Sequence, residues 1–315
     1  MAMSYEQQFR RDMEIIKAAK RQCVIYSASY NARYWYPFKL RSVGNGWNEL
    51  DRSNMELMID SNIKDESVTN RDVLEEAIDA RANKIIPKDY LGEPEKTRQS
   101  LIELETLIND EYGSIKPTII PVLQDDHVSH LESHEDFYNG YSHIALGGMR
   151  DFEPEEQVKR LKQVRDIVGD HIHIHGFGMG CSLGIIKAIR QNPNLLDSLD
   201  MATAERMVKN GNATDWSFNQ QQPEIPMPYG EEKTTVNAGF SKSILIMLNY
   251  MITDMADETR LEELFYDELG LGKLEEIVAN AEGESPATID WNTMDNSPQS
   301  LAEKAESGQL VIDNF

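Results

Sequence analysis

Seven short apolar runs, separated by amphipathic helical periods, constrain this chain more than any other feature it has. They are CVIYSAS (23–29), ELMIDS (56–61), KIIPKD (84–89), PTIIPVLQ (117–124), HIALGGM (143–149), HIHIHGFGMG (171–180) and LLDSLD (195–200). Each is too short for a helix and rich in Ile, Val or Leu, which is the pattern of a strand buried on both faces. Between them NRDVLEEAIDARA (70–82), EKTRQSLIELETLINDE (95–111) and EEQVKRLKQVRDIVG (155–169) repeat apolar residues at helical spacing. Strand, helix, strand in strict alternation builds a parallel sheet covered by helices. Seven candidates and room for an eighth point to the α/β class and a (β/α)8 TIM barrel. A doubly wound open sheet is the alternative, but no G-x-G-x-x-G opens a helix after the first run.

Residues 1–270 are expected to form the barrel with an N-terminal extension, and 271–315 an acidic segment packed on it or trailing from it. SKSILIMLNYMITDMADETRLEELFYDEL (241–269) reads as a long helix that can seal the barrel, and ESPATIDWNTMDNSPQS as a loop or docked tail. Its apolar stretch SILIMLNYMI is about half the length a bilayer needs, so no membrane association is expected. The polar start MAMSYEQQFRRDMEIIKAAK does not read as a signal peptide, and two cysteines, Cys23 and Cys181, make no disulfide framework. The expected location is the cytoplasm.

The net charge of −23 opposes loose binding to nucleic acid, and a local basic site has to override it. Charge is unevenly placed: up to residue 50 there are eight Lys or Arg against four Asp or Glu, so the other 265 residues carry −27. In NARYWYPFKLR (31–41) four aromatics interleave with Arg33, Lys39 and Arg41, a composition suited to stacking on bases; a half-buried amphipathic segment fits it equally. A high-salt habitat is a further reading of the acidic remainder.

In barrels of this kind the working residues sit where strands end, in the βα loops. Here the successive runs close on Asp60, Asp89, Gln124, Gly147 with Gly148, Gly176 with Gly178, and Asp200. Carboxylates from different strands at one mouth allow one to attack as a nucleophile while another moves protons. Two-carboxylate displacement at a sugar C1 is the glycosidase pattern, and the same physics permits one base to be exchanged for another without ATP. Gln124 both donates and accepts, a Gly-Gly pair presents backbone groups to a flat heterocycle, and Asp89 can accept from a ring N–H and an amino group, so a guanine-like base fits the frame.

The order of these pieces resembles the tRNA-guanine transglycosylase superfamily over roughly Leu57 to Thr214. Its most specific part lies in LLDSLDMATAERMVKNGNAT, where Asp200, Arg206, Asn210 and Gly211 keep the family's spacing, with Lys209 at a basic position. IIPVLQ is similar to the strand carrying the base-reading glutamine, Ala145–Met149 to the Gly-Gly turn, and HGFGMG to the segment beneath the base. The resemblance implies Asp200 as nucleophile and Asp60 as general acid/base. It places Ser61, Asp89, Gln124, Gly147, Gly148, Met149, His175 and Gly176 at the base, with Arg206, Lys209 and Asn210 near phosphates. Two departures stand out: Asn62 and Ile63 replace a Gly-Gly, and the family's zinc site of three cysteines and one histidine cannot form with cysteines only at 23 and 181. Together with no appended basic RNA-binding domain, they point to the DNA-modifying branch found in viruses and genomic islands, in which case the cytoplasm is that of a host.

The expectation is therefore exchange of guanine in DNA for a free 7-deazaguanine such as preQ0, with no cofactor and no metal; a homodimer stays open. A target base inside a duplex has to be flipped out. The alternatives are a tRNA-guanine transglycosylase, a metal-dependent barrel hydrolase, and a non-catalytic acidic nucleobase binder or DNA mimic. His171, His173 and His175 share one strand face, read as barrel interior rather than as metal ligands. His127, His130 and His134 in DDHVSHLESHED are expected to be solvated.

Overall fold

The computed structural model describes residue 16 and residues 23–28, 37–44, 56–179, 183–202, 212–214 and 224–226. The first two strands, β1 (Val24–Ser27) and β2 (Phe38–Ser42), are followed by β3 (Glu56–Asp60), α1 (Asn70–Asp79) and β4 (Lys84–Ile85). Next come α2 (Pro94–Glu111), β5 (Thr118–Ile119), β6 (Val122–Leu123), α3 (His127–Ser133) and α4 (Glu135–Tyr138). After β7 (His143–Leu146) run α5 (Pro154–Val168), β8 (His173–Gly176), α6 (Leu183–Gln191) and β9 (Ser198–Met201). A small antiparallel pair, β10 (Asn212–Thr214) with β11 (Glu224–Pro226), lies apart from the main sheet.

The nine strands β1–β9 form one parallel sheet in the order β5-β4-β3-β2-β1-β9-β8-β7-β6. Its two end strands are consecutive pieces of one segment, separated by Ile120 and Pro121. Proline has no N–H to give, and the ladder changes partner there: Ile120 N donates back to Ile85 O (2.9 Å), while Pro121 O accepts from Ala145 N (2.7 Å). Edges two residues apart require the sheet to curl, an architecture consistent with a TIM-like barrel.

Along β3 and β4 alternation separates two cores, as strand geometry dictates. Leu57, Ile59 and Ile85 pack outward with Val73, Leu74, Ala77, Leu104 and Ile108 of α1 and α2, whereas Met58 and Ile86 belong to the larger apolar cluster with Tyr26, Phe38 and Leu40. Local signals set the helix starts. Thr69 and Asp72 form a reciprocal capping box on α1, and Pro94 and Pro154 open α2 and α5. Gly169 ends α5 at φ 66°. Buried Arg165 then ties the helix to the sheet, donating to Gly169 O and Ile172 O (both 2.7 Å) and to Asp197 Oδ2 (2.6 Å).

The strands begin on a polar layer. Glu56, Lys84, His143 and His173 are each the first residue of their strand; Glu56 pairs with Lys84, both meet the Tyr26 hydroxyl, and the two imidazoles stack at 4.7 Å. Charge at that end leaves the opposite, C-terminal edge for a separate set of polar residues. No helix of the described residues is long and apolar enough to cross a membrane.

β2 was not among the expected strands. Its Lys39 and Arg41 are only 1% and 2% exposed, so the described part of the aromatic-basic segment is a buried strand and not an outward surface for bases. Residues 31–36, the expected helix at 241–269 and the acidic tail lie outside the described residues.

Candidate functional site

Asp60 is the last residue of β3 and sits in register with Ser42, the last of β2. That pairing lets Ser42 Oγ donate to Asp60 Oδ2 at 3.1 Å. The next residue, Ser61, turns its hydroxyl to the loop after β4, donating to Asp89 Oδ1 at 2.7 Å while accepting from Asp89 N at 3.3 Å. From the end of β6, Gln124 Nε2 donates to the other oxygen, Asp89 Oδ2, at 2.6 Å. A carboxylate takes only donors, so the amide nitrogen faces Asp89 and Oε1 points away; that buried oxygen has no hydrogen-bond partner among the described residues. Gln124 is 1% exposed and Asp89 7%.

Asp200 arrives from the other side of the sheet, on β9. Gly178 N, in the left-handed turn after β8, donates to Asp200 Oδ1 at 3.0 Å. His175 of β8 donates or accepts through Nδ1 with Ser198 Oγ at 2.8 Å, a pair in register, and holds Nε2 3.7 Å from Asp200 Oδ1. Tyr26, buried beside them, meets the His175 ring edge-on at 5.6 Å.

The electrostatics join the two halves. Burial, then the charge of Asp89, and further that of Asp200 push the Asp60 carboxyl up to about 7, against the pull of the Ser42 hydrogen bond. Burial likewise raises Asp89, opposed by the hydrogen bonds from Ser61 and Gln124. The three expected carboxyl groups thus share one edge, where burial and like charge favour the protonated form of Asp60.

The Gly-Gly turn is more constrained than its sequence implied. Gly147 N donates to Leu123 O (2.8 Å) in the ladder, and its carbonyl accepts from His127 Nε2 (2.8 Å), so the turn is braced on both sides. A Cβ on Gly147 would stand 2.4 Å from Gln124 Nε2, so a side chain here would displace the Gln124 amide. Gly148 takes φ 67°, open to glycine at little strain. Met149 is wholly buried in the core, its carbonyl accepting from Gln157 Nε2 at 2.7 Å. Against Gly176 lies the Met179 thioether, filling the space a Cβ there would need.

Two histidine expectations change. His127 and His130 are buried, not solvated: burial lowers the pKa of both, His127 holds the Gly147 carbonyl, and His130 pairs through Nε2 with the Tyr138 hydroxyl at 2.9 Å. His171 precedes β8 and is exposed, while His173 stacks on His143 at the opposite end from His175. They form no common ligand group among the described residues.

Arg206, Lys209, Asn210 and Gly211 lie outside the described residues, as does Cys181. Sequence reasoning placed Gly178 at this edge but missed Ser42, His127 and Ser198, each of which orients another group there. Only Ser42 carried a readable signal, the F-K-L-R alternation before it.

No model of a known protein family matches this chain, and no curated protein does. The chemistry of the site is therefore read from its own geometry.

Proposed function

We propose that this chain exchanges guanine in DNA for a free 7-deazaguanine, working at the C-terminal edge of a closed (β/α)8 barrel in which β5 and β6 act as one strand. The observation that carries this reading is that Asp60, Asp89 and Asp200 stand at one edge of the sheet, where Asp89 is hydrogen-bonded to Gln124 and burial with the charges of Asp89 and Asp200 raises the pKa of the Asp60 carboxyl.

The Asp200 carboxylate attacks C1′ of the target deoxyguanosine, and the C1′–N9 bond breaks with its electron pair going to guanine. Asp60 gives its proton to the departing base. The incoming 7-deazaguanine loses its N9 proton to Asp60 and attacks C1′, which releases Asp200. One glycosidic bond is broken and an equivalent one made, so no energy source is consumed. Asp89 and the free Gln124 Oε1 supply acceptors and Gln124 Nε2 a donor for the base edge; each Asp89 oxygen keeps a second lone pair beyond its bond to Ser61 or Gln124. Arg206, Lys209 and Asn210 are assigned to the phosphates flanking the flipped nucleotide.

The test is incubation of the chain with labelled 7-deazaguanine and, in parallel, duplex DNA and tRNA. Incorporation into DNA and a covalent band on denaturing electrophoresis are expected for the native chain, and both are expected to vanish in Asp200→Ala. Exchange retained in that variant rejects the mechanism. Incorporation into tRNA alone assigns the same chemistry to the other nucleic acid.

A further inference from the structure

Away from the three carboxyls, three metal-ligand side chains converge. Glu95, in the first turn of α2, points Oε1 at two imidazoles: His134 Nε2 lies 2.8 Å from it and His130 Nδ1 3.5 Å. The three donor atoms lie within 4.8 Å of one another. Two ligands of a tetrahedral zinc ion, each at about 2.1 Å, stand about 3.4 Å apart; the 3.5 Å between Glu95 and His130 matches such an edge, and the 2.8 Å between Glu95 and His134 is a hydrogen bond that an ion would replace.

The second layer is also in place. His130 is buried, and its far nitrogen, Nε2, meets the Tyr138 hydroxyl at 2.9 Å, which orients the ring and leaves Nδ1 toward Glu95. Glu95 Oε2 accepts from Arg98 Nε and Nη2 at 3.1 and 3.0 Å, which leaves Oε1 to face the histidines. Glu95 itself is 62% exposed, so solvent can supply a fourth ligand. The Arg98 cation opposes a metal ion, and a site with one carboxylate and an arginine neighbour is expected to bind more weakly than a closed four-ligand one.

We infer that Glu95, His130 and His134 form a divalent-metal site of the zinc class. Glu95 follows Asp89 by six residues and His130 follows Gln124 by six. An ion held there clamps α2 to the α3 end, and so braces the two loops whose Asp89 and Gln124 hydrogen-bond at the edge of the sheet. These three are positioning residues, and the clamp stands whether or not base exchange is the reaction.

Zinc chloride titrated into the metal-stripped full chain, followed by calorimetry, is expected to give one ion per chain and a melting temperature that rises with zinc concentration. Cobalt(II) in its place is expected to give the visible absorption of a tetrahedral site. The exposed variant Glu95→Gln and the half-exposed His134→Ala each remove one ligand and keep the buried His130–Tyr138 contact; each is expected to weaken zinc binding at least tenfold. Absence of saturable zinc binding in the native chain, or undiminished binding in either variant, overturns the assignment.

Discussion

At the scale of single residues, Asp60 concentrates the consequences. Its folded pKa of about 7 lies above the usual 3.8, so the folded state binds this proton more tightly than the unfolded chain does. The stabilisation is complete below about pH 4 and is lost as pH rises through about 7. We expect Asp60→Asn, which keeps the shape without the charge, to gain stability over the native chain across that window, reaching about 2–4 kcal/mol above pH 7. Denaturant unfolding at several pH values checks it; a difference that does not grow with pH contradicts the buried, like-charged setting. The same variant is expected to lose base exchange by roughly 10²–10⁴-fold, since no proton then reaches the departing guanine. Asp60, Asp89, Gln124 and Asp200 were legible because strand ends are marked by a break in the apolar run. His127 was not, because its role depends on a carbonyl 20 residues away and nothing local distinguishes a buried imidazole from a solvated one.

At the scale of elements, α1, α2 and α5 were readable nearly to their ends because capping chemistry is local: Thr69 with Asp72, Pro94 and Pro154 each act on their own first turn, whereas α3 lies in a stretch that reads as an acidic loop. β2 escaped because its alternate residues are Lys39 and Arg41, which in isolation signal solvent, yet both are buried among neighbouring strands and side chains. PTIIPVLQ was expected as one strand, and its Pro121 splits the ladder between β4 and β7 without ending the segment. The turn after β7 offers the sharpest test at this level. In Gly147→Ala the new methyl collides with the Gln124 amide, 2.4 Å from its Cβ position, and the amide must leave Asp89. We expect a loss of about 1–3 kcal/mol from the uncompensated buried polar groups, together with a rise in the KM for the free base. Native-like base affinity in that variant excludes Gln124 from base recognition.

For the whole molecule, a net charge of −23 means that any nucleic acid is approached against repulsion and held by few contacts. Each phosphate neutralised contributes about −0.9 to the slope of log K against log salt on duplex DNA, so removing Arg206 and Lys209 together is expected to flatten that slope by about 2. Binding titrations over a range of salt measure it, and an unchanged slope removes both residues from the phosphate contacts. What the sequence determined by itself is whatever depends on near neighbours: the alternation of strand and helix, the helix caps, and the polar residues at the strand ends, because periodicity and capping act within a few residues. What only the tertiary structure decided is which of those ends meet. The Ser42–Asp60 register, the Asp89–Gln124 bond, the raised pKa of the Asp60 carboxyl and the meeting of Glu95 with His130 and His134 all depend on which strands and helices the fold sets side by side. Desolvation and charge coupling act through space, between groups that the chain keeps tens to more than a hundred residues apart.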